Sequence, residues 1–260
     1  MSSLHPLNRP RGNVVSRRAT VSLRDEQPRR ASTLMRKYEA TALLPDLSIV
    51  HKAHVAPALA LFEDATTAFA RGTLLPTVRG PVAIEDLLPG DYLQTSEGTQ
   101  PVLWIGSTTY VPGIDDDVST LARLARITAD AFGPSRPMSD VLVGPAARMV
   151  LRRDRLRALI GQDRVLVPVL EFADGERIVQ ITPAGAVQMY HLMVPRHGTL
   201  RVGGIEMESY HPGKAIAKPL PDALRGLFLG MFPNIGVMQD FGDLSMTRTT
   251  RAAIDALIAS

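Results

Sequence analysis

The stretch "TAFARGTLLPT", Thr67 to Thr77, decides how the chain is read. It opens with residues that suit an extended strand, turns at Arg71 and Gly72, and resumes with two leucines before Pro76. Strand and turn together form the start of a β-domain. In an extended segment Thr67 and Ala68 point to opposite faces, whereas Thr66 shares the face of Ala68 but lies ~7 Å along the strand. Threonine is favoured in strands because its branched side chain packs there. Arg71 and Thr73 are placed to organise the turn.

Outward from this stretch, strand signals dominate. Segments 81–86, 91–95, 100–111, 122–128, 164–172, 177–183, 187–194 and 199–210 are short, rich in β-branched residues and separated by turn residues. That spacing predicts an all-β sandwich or barrel-like domain. In "PVLWIG", Val102 and Trp104 fall on one face and Leu103 and Ile105 on the other, which marks a central strand with Trp104 in the core. The segments "EGTQ" (97–100) and "ADGER" (173–177) read as tight hairpin turns, and "LLPGD" (87–91) closes a one-turn helix. Upstream, residues 41–60 carry short apolar runs broken by Pro45 and Pro57, which reads as a linker or a first hairpin. At the other end Thr249 or Thr250 offers an N-cap, and Ile254, Leu257 and Ile258 share a face, predicting a short helix. Residues 213–246 show little period of either sort.

Composition excludes several classes of chemistry. The 260 residues are 45% hydrophobic with mean hydropathy +0.04, enough for a sizeable core. There is no cysteine, so disulfides, thiolate metal sites, iron–sulfur clusters and cysteine nucleophiles are ruled out. The longest uncharged apolar stretch, Gly226 to Gln239, is interrupted by Pro233 and Asn234 and falls short of the ~20 residues a membrane span needs. The amino terminus has arginines but no apolar core of the secretory kind, so the expected location is cytoplasmic. Net charge is +3, yet residues 1–40 hold nine Lys/Arg against three acids. This basic arm lacks hydrophobic periodicity and reads as disordered: a solvated leader, or a contact for polyanions. Tyr38 is its only aromatic, so base stacking is not indicated. The triplet Asp115–Asp117 reads as a solvated loop, and no Walker, dinucleotide or Gly-x-Ser-x-Gly motif occurs.

Three segments carry a family resemblance. Phe69 to Gly106, with Gly72-Thr73, Thr77, Gly80, "AIEDLLPGD", Thr95, Gly98 and "PVLWIG", is similar to the first block of a Hint domain, the hedgehog and intein fold, in its bacterial form. Arg126 to Leu151 resembles the segment of the second catalytic block, and Val187 to Gly213 the block near the end. The resemblance implies a mainly β fold, here with a short C-terminal helical extension, that rearranges the peptide bond at its own start. Its division would be an arm at 1–40, a linker or hairpin at 41–60, a Hint-type β-domain at 61–213, and an extension at 214–260 ending in a helix.

The implied chemistry needs a Cys, Ser or Thr directly after the scissile bond, a histidine to protonate the leaving nitrogen, and donors for the tetrahedral oxyanion. Here the nucleophile position falls on Ala68 and the second-block histidine on Ala147. The closing His-Asn of splicing members is replaced by "MESYHPG" (207–213). His197 in "PRHGTL" matches the histidine of the last block, and His191 lies in "YHL". Each is either a leftover catalytic group or a histidine bonded to sheet backbone. His191, His197, His211, Glu206 and Glu208 cluster in sequence but match no closed metal site, and no cofactor is expected. Three functions are expected. The first is a degenerate structural or interaction module with an unknown protein partner. The second is self-cleavage near Ala68 by acyl shift onto Thr66 or Thr67, and the third polyanion or nucleic-acid binding through the basic arm.

Overall fold

The computed structural model describes residue 1 and residues 34–114, 119–215 and 219–259. Most of the basic arm and the acidic triplet lie outside the described residues. Among those described, the strands form two sheets whose ladders are antiparallel throughout. Mainly β architecture is what the sequence predicts.

Across the first sheet the order is β13 (Ile178–Ile181), β9 (Leu124–Ile127), β10 (Val141–Val143), β3 (Phe69–Ala70), β14 (Val187–Met193), β8 (Trp104–Tyr110), β1 (Met35–Leu43) and β2 (Ile49–Pro57). The second runs β12 (Arg164–Pro168), β11 (Arg148–Arg152), β16 (Ile205–Glu208), β15 (Thr199–Val202), β6 (Tyr92–Thr95), β4 (Leu74–Thr77) and β5 (Gly80–Ala83), with β7 (Gly98–Pro101) also on β6. Among the described residues four α-helices accompany them: α1 (Ala60–Glu63), α2 (Asp154–Ile160), α3 (Asp222–Gly230) and α4 (Arg251–Ala259).

Two cores lie on either side of β8, but not by the alternation expected for "PVLWIG": β8 begins at Trp104, and Val102 packs in the cluster of Ile105 while Leu103 packs in that of Trp104. β8 lies between β14 and β1, and Ile105 joins one cluster with Phe69, Leu75, Met149, Leu192 and Met207. Trp104, on the opposite face, joins an aromatic cluster with Tyr38, Phe62, Tyr210, Phe228 and Phe232. Its ring stacks on Phe232 at 4.4 Å between centroids, and its Nε1–H donates to the Met231 carbonyl at 2.6 Å. The second core is thus closed by the C-terminal extension.

Segment 41–60 is a hairpin, and it begins earlier than expected. β1 starts at Met35, so its first six residues fall inside the stretch assigned to the arm. The buried residues of this strand alternate as Tyr38, Ala40 and Ala42, a period that small side chains mark only weakly. Pro45 sits in the connecting turn, where Leu47 has φ +68° and Asp46 accepts from the Ser48 N–H and hydroxyl.

Helix α4 forms where expected, with the Thr250 hydroxyl accepting from the Ala253 N–H at 3.2 Å and Ile254 packed on Leu156, Val165 and Val167. Segment 213–246 contains α3, which the sequence reading missed. Gly226 and Gly230 lower its intrinsic helix preference. What favours the helix is the docking of Phe228 onto Phe62 and Phe232. Segment 164–172, read as one strand, is extended only to Pro168 and then forms a 3-10 turn over Val169–Phe172. No helix among the described residues is long and apolar enough to cross a membrane.

Candidate functional site

The Thr67–Ala68 peptide bond lies where α1 gives way to β3. Ala68 donates its N–H to the Tyr190 carbonyl of β14 at 3.0 Å and accepts from the Gly144 N–H, just past β10, at 2.9 Å. The Thr67 carbonyl accepts from the Ala146 N–H at 3.4 Å. A Cβ at Gly144 would overlap the Thr67 carbonyl oxygen, so glycine is what lets these two backbones approach. The junction is therefore clamped from both neighbouring strands. A backbone donor faces the oxygen that would carry the charge of a tetrahedral intermediate, at a distance longer than the 2.7–3.1 Å of effective oxyanion donors.

The side chains around the junction are apolar. Ala68 and Ala147 are both buried and belong to the same cluster, with Phe69, Val143, Ala146 and Leu192. Two methyl groups thus stand in the core at the positions where the resemblance places nucleophile and acid. A methyl carbon has no lone pair to attack with and no proton to give.

The neighbouring hydroxyls face α1. Thr67 Oγ1 donates to the Glu63 carbonyl at 2.8 Å and Thr66 Oγ1 to the same oxygen at 3.3 Å, closing the end of the helix. Both threonines are buried. Glu63 is also buried, and its carboxylate accepts from Arg36 Nε (3.1 Å), Ser119 Oγ (2.7 Å), Thr120 N (2.6 Å) and Thr120 Oγ1 (2.8 Å). This knot ties β1 and α1, both upstream of the junction, to the chain beyond β8. The signal available in the sequence was a glutamate inside the apolar run "ALALFED".

The two candidate histidines occupy different surroundings. His191 is fully buried between Phe69 and Tyr210, and its Nδ1 accepts from the Leu192 N–H at 3.1 Å. Burial pushes it down to about 3, so it is neutral at physiological pH. His197 sits at the entrance to β15, with Nε2 3.0 Å from Glu208 Oε1 and Nδ1 accepting from the Ser245 N–H at 3.1 Å. A nitrogen that accepts carries no proton, so the ring proton is on Nε2 and is donated to Glu208.

Glu208 is the centre of a buried charge network. Its Oε1 also accepts from Arg248 Nε at 2.8 Å, and its Oε2 lies 3.6 Å from Arg148 Nη1. Arg148 reaches Asp64 at 3.7 Å in turn. Burial alone would raise the Glu208 carboxyl; the His197 hydrogen bond with the Arg248 and Arg148 cations outweighs it and holds the group at about 2. His211 donates to the Gly242 carbonyl and accepts from the Gly213 N–H, and burial lowers it to about 4. Glu206 pairs with Arg152 on the surface side of β16. Of the five residues clustered in sequence, His197 and Glu208 bond to each other, while His191, His211 and Glu206 spend their polar atoms on other partners. Among the described residues no group of three His, Asp or Glu side chains is arranged to hold a metal.

With this geometry in view, the chain is placed by comparison. It belongs to the Hint domain family: the family model described as "Hint domain" matches residues 67–214, starting at the Thr67–Ala68 junction. Among solved structures the chain is similar to a bacterial intein-like domain from Clostridium thermocellum, at 18% identity over 56% of this chain and 99% of that one, with a TM-score of 0.38. It is also similar to the MchDnaB-1 intein, at 16% identity over 55% and 100% of the two chains, with a TM-score of 0.31. No curated protein matches it.

Proposed function

We propose that this Hint domain does not rearrange its own backbone and serves as a structural or interaction module. The observation that carries the reading is the buried methyl of Ala68 at the position directly after the clamped Thr67 carbonyl. Losing the attacking atom removes the reaction path, whereas losing the acid at Ala147 would cost only ~10²–10⁴ in rate. The threonine hydroxyls support it, since both are engaged with the Glu63 carbonyl.

The fold upstream adds a second line of support. In a self-cleaving domain the segment before the junction is the piece released. Here that segment contributes β1, which pairs with both β2 and β8, and the Arg36–Glu63 knot. Breaking the 67–68 bond would leave it held by the five-residue β1–β8 ladder and by the buried Glu63 carboxylate, which accepts from Ser119 and Thr120 beyond the junction. The backbone donor at Ala146 needs no particular side chain, because it belongs to the turn between β10 and β11, where any residue but proline supplies an N–H.

Intact-mass measurement of the purified full-length chain after long incubation with hydroxylamine or thiol tests this reading. A single undiminished mass is expected. Appearance of a fragment with its amino terminus at Ala68, suppressed by Thr67→Val or Thr66→Val, would replace it with self-cleavage through a hydroxyl.

A further inference from the structure

Ser245 completes an arrangement that the bond-rearrangement chemistry does not use. Its Oγ lies 3.0 Å from His197 Nδ1, and on the far side of the ring Nε2 lies 3.0 Å from Glu208 Oε1. The ring proton resides on Nε2, so Nδ1 carries a lone pair, which faces both the Ser245 N–H at 3.1 Å and the Ser245 hydroxyl at 3.0 Å. Ser245 is exposed, while His197 and Glu208 are buried beneath it. A hydroxyl at the surface is therefore backed by a neutral imidazole, which is backed in turn by an ionised carboxylate. Nucleophile to base and base to orienting carboxylate are the two contacts by which a serine nucleophile is recognised on any fold. The chain neighbours of Ser245, Leu244 and Met246, line a cavity of about 820 Å³ together with Leu61, Leu220 and His211.

We propose that Ser245 is a nucleophile toward carboxylic esters of short apolar acids, with His197 as its base and Glu208 as a positioning residue that acts through the imidazole. In the first step the Oγ–C bond forms at the acyl carbon as the Oγ proton passes to His197 Nδ1. The bond from the acyl carbon to the alcohol oxygen then breaks, and that oxygen leaves with the proton from Nδ1. Water repeats the sequence on the acyl-serine, releasing the acid and restoring the hydroxyl. Glu208 holds the ring in its Nε2–H form and stabilises the imidazolium, against which Arg248, Arg148 and His211 stand as the other charged or titratable groups nearby. The cavity lined by the flanking Leu244 and Met246, though not by Ser245 itself, has apolar walls at Leu61 and Leu220 for a short acyl chain, beside the charged Arg148 and Arg248.

The test uses the purified full chain, a fluorophosphonate probe and p-nitrophenyl butyrate. One probe molecule is expected to attach, mapped by peptide mass spectrometry to Ser245. Ser245→Ala changes an exposed side chain and so keeps the fold; it should abolish the adduct and reduce p-nitrophenol release to the rate in buffer. Ser96→Ala should leave both unchanged. His197→Ala should slow labelling by ~10²-fold or more, with partial recovery on adding imidazole. Glu208→Gln, where it folds, should move the pH dependence of labelling to lower pH, because an imidazolium without its carboxylate loses its proton more readily. Absence of an adduct at Ser245, or equal labelling of Ser245→Ala, overturns the proposal and leaves the Ser245–His197 contact as a turn-fixing hydrogen bond. This outcome is independent of the intact-mass result at Ala68.

Discussion

Replacing Glu208 by glutamine tests whether the buried charge network stabilises the fold as its geometry implies. The carboxyl is fully enclosed, accepts from His197 and Arg248, and faces Arg148. A group whose titration moves from 4.5 unfolded to about 2 folded contributes about 3 kcal/mol at neutral pH. The sign follows from the depressed value: the contribution is complete above 4.5 and is lost as pH falls toward about 2. Glutamine has the shape of the protonated acid but no charge, and it leaves two arginines facing a neutral group in a buried site, a loss of about 3–5 kcal/mol by comparison with other broken buried pairs. The two routes agree. Urea unfolding followed by circular dichroism should show Glu208→Gln less stable than the parent by about 3 kcal/mol at pH 7, or roughly 1 M in midpoint for a slope near 3 kcal/mol/M. The gap should shrink to less than half by pH 3, because there the unfolded parent takes up a proton at residue 208 that the folded protein still largely excludes. A gap that is independent of pH, or below about 0.5 kcal/mol at pH 7, would refute the reasoning.

Three further outcomes follow from other parts of the molecule. Gly144→Ala forces a methyl against the Thr67 carbonyl, which is backbone and cannot swing away; thermal or urea unfolding should register a loss of about 1–3 kcal/mol or more. Thr250→Ala removes the hydroxyl that caps α4 and should cost about 1 kcal/mol, read in the same assay, with Thr249→Ala as the near-neutral control. The double substitution Ala68→Cys with Ala147→His restores an attacking atom and an acid on either side of the clamped carbonyl. Slow appearance in the mass spectrum of a fragment beginning at residue 68 is expected on adding thiol, while an unchanged mass would mean that the upstream hairpin, not the missing side chains, blocks the reaction.

The β architecture was legible in the sequence because it rests on local rules. The apolar run "PVLWIG" predicted a central strand buried on both faces, and β8 is that strand, although it begins at Trp104 and places Val102 with Ile105 and Leu103 with Trp104. Turn chemistry placed the β6–β7 hairpin, and a threonine followed by spaced aliphatics placed α4, whereas segment 199–210, read as one strand, folds back at Gly203-Gly204 into the β15–β16 hairpin. Alanine at 68 and 147 was equally plain, since the type of a residue is fixed before anything folds. Helix α3 escaped because its two glycines mask the pattern and only contact with Phe62 and Phe232 across the aromatic core makes the segment helical.

What the chain alone determined is which reactive atoms are absent at the junction and that most of the strands would form. Only the folded protein decided how the remaining polar groups are partnered. Arg36 and Glu63, or Ser245 and the His197–Glu208 pair at the ends of the β15–β16 hairpin, lie far apart in sequence and carry no mutual spacing; they meet because separate strands and loops converge. Burial then makes the meeting consequential, because a charge removed from water must find a partner in the fold. Such partnerships are long-range and electrostatic, whereas the strand and turn signals are short-range and steric. That difference separates the fold, which could be read from the sequence, from the charge network around His197, which could not.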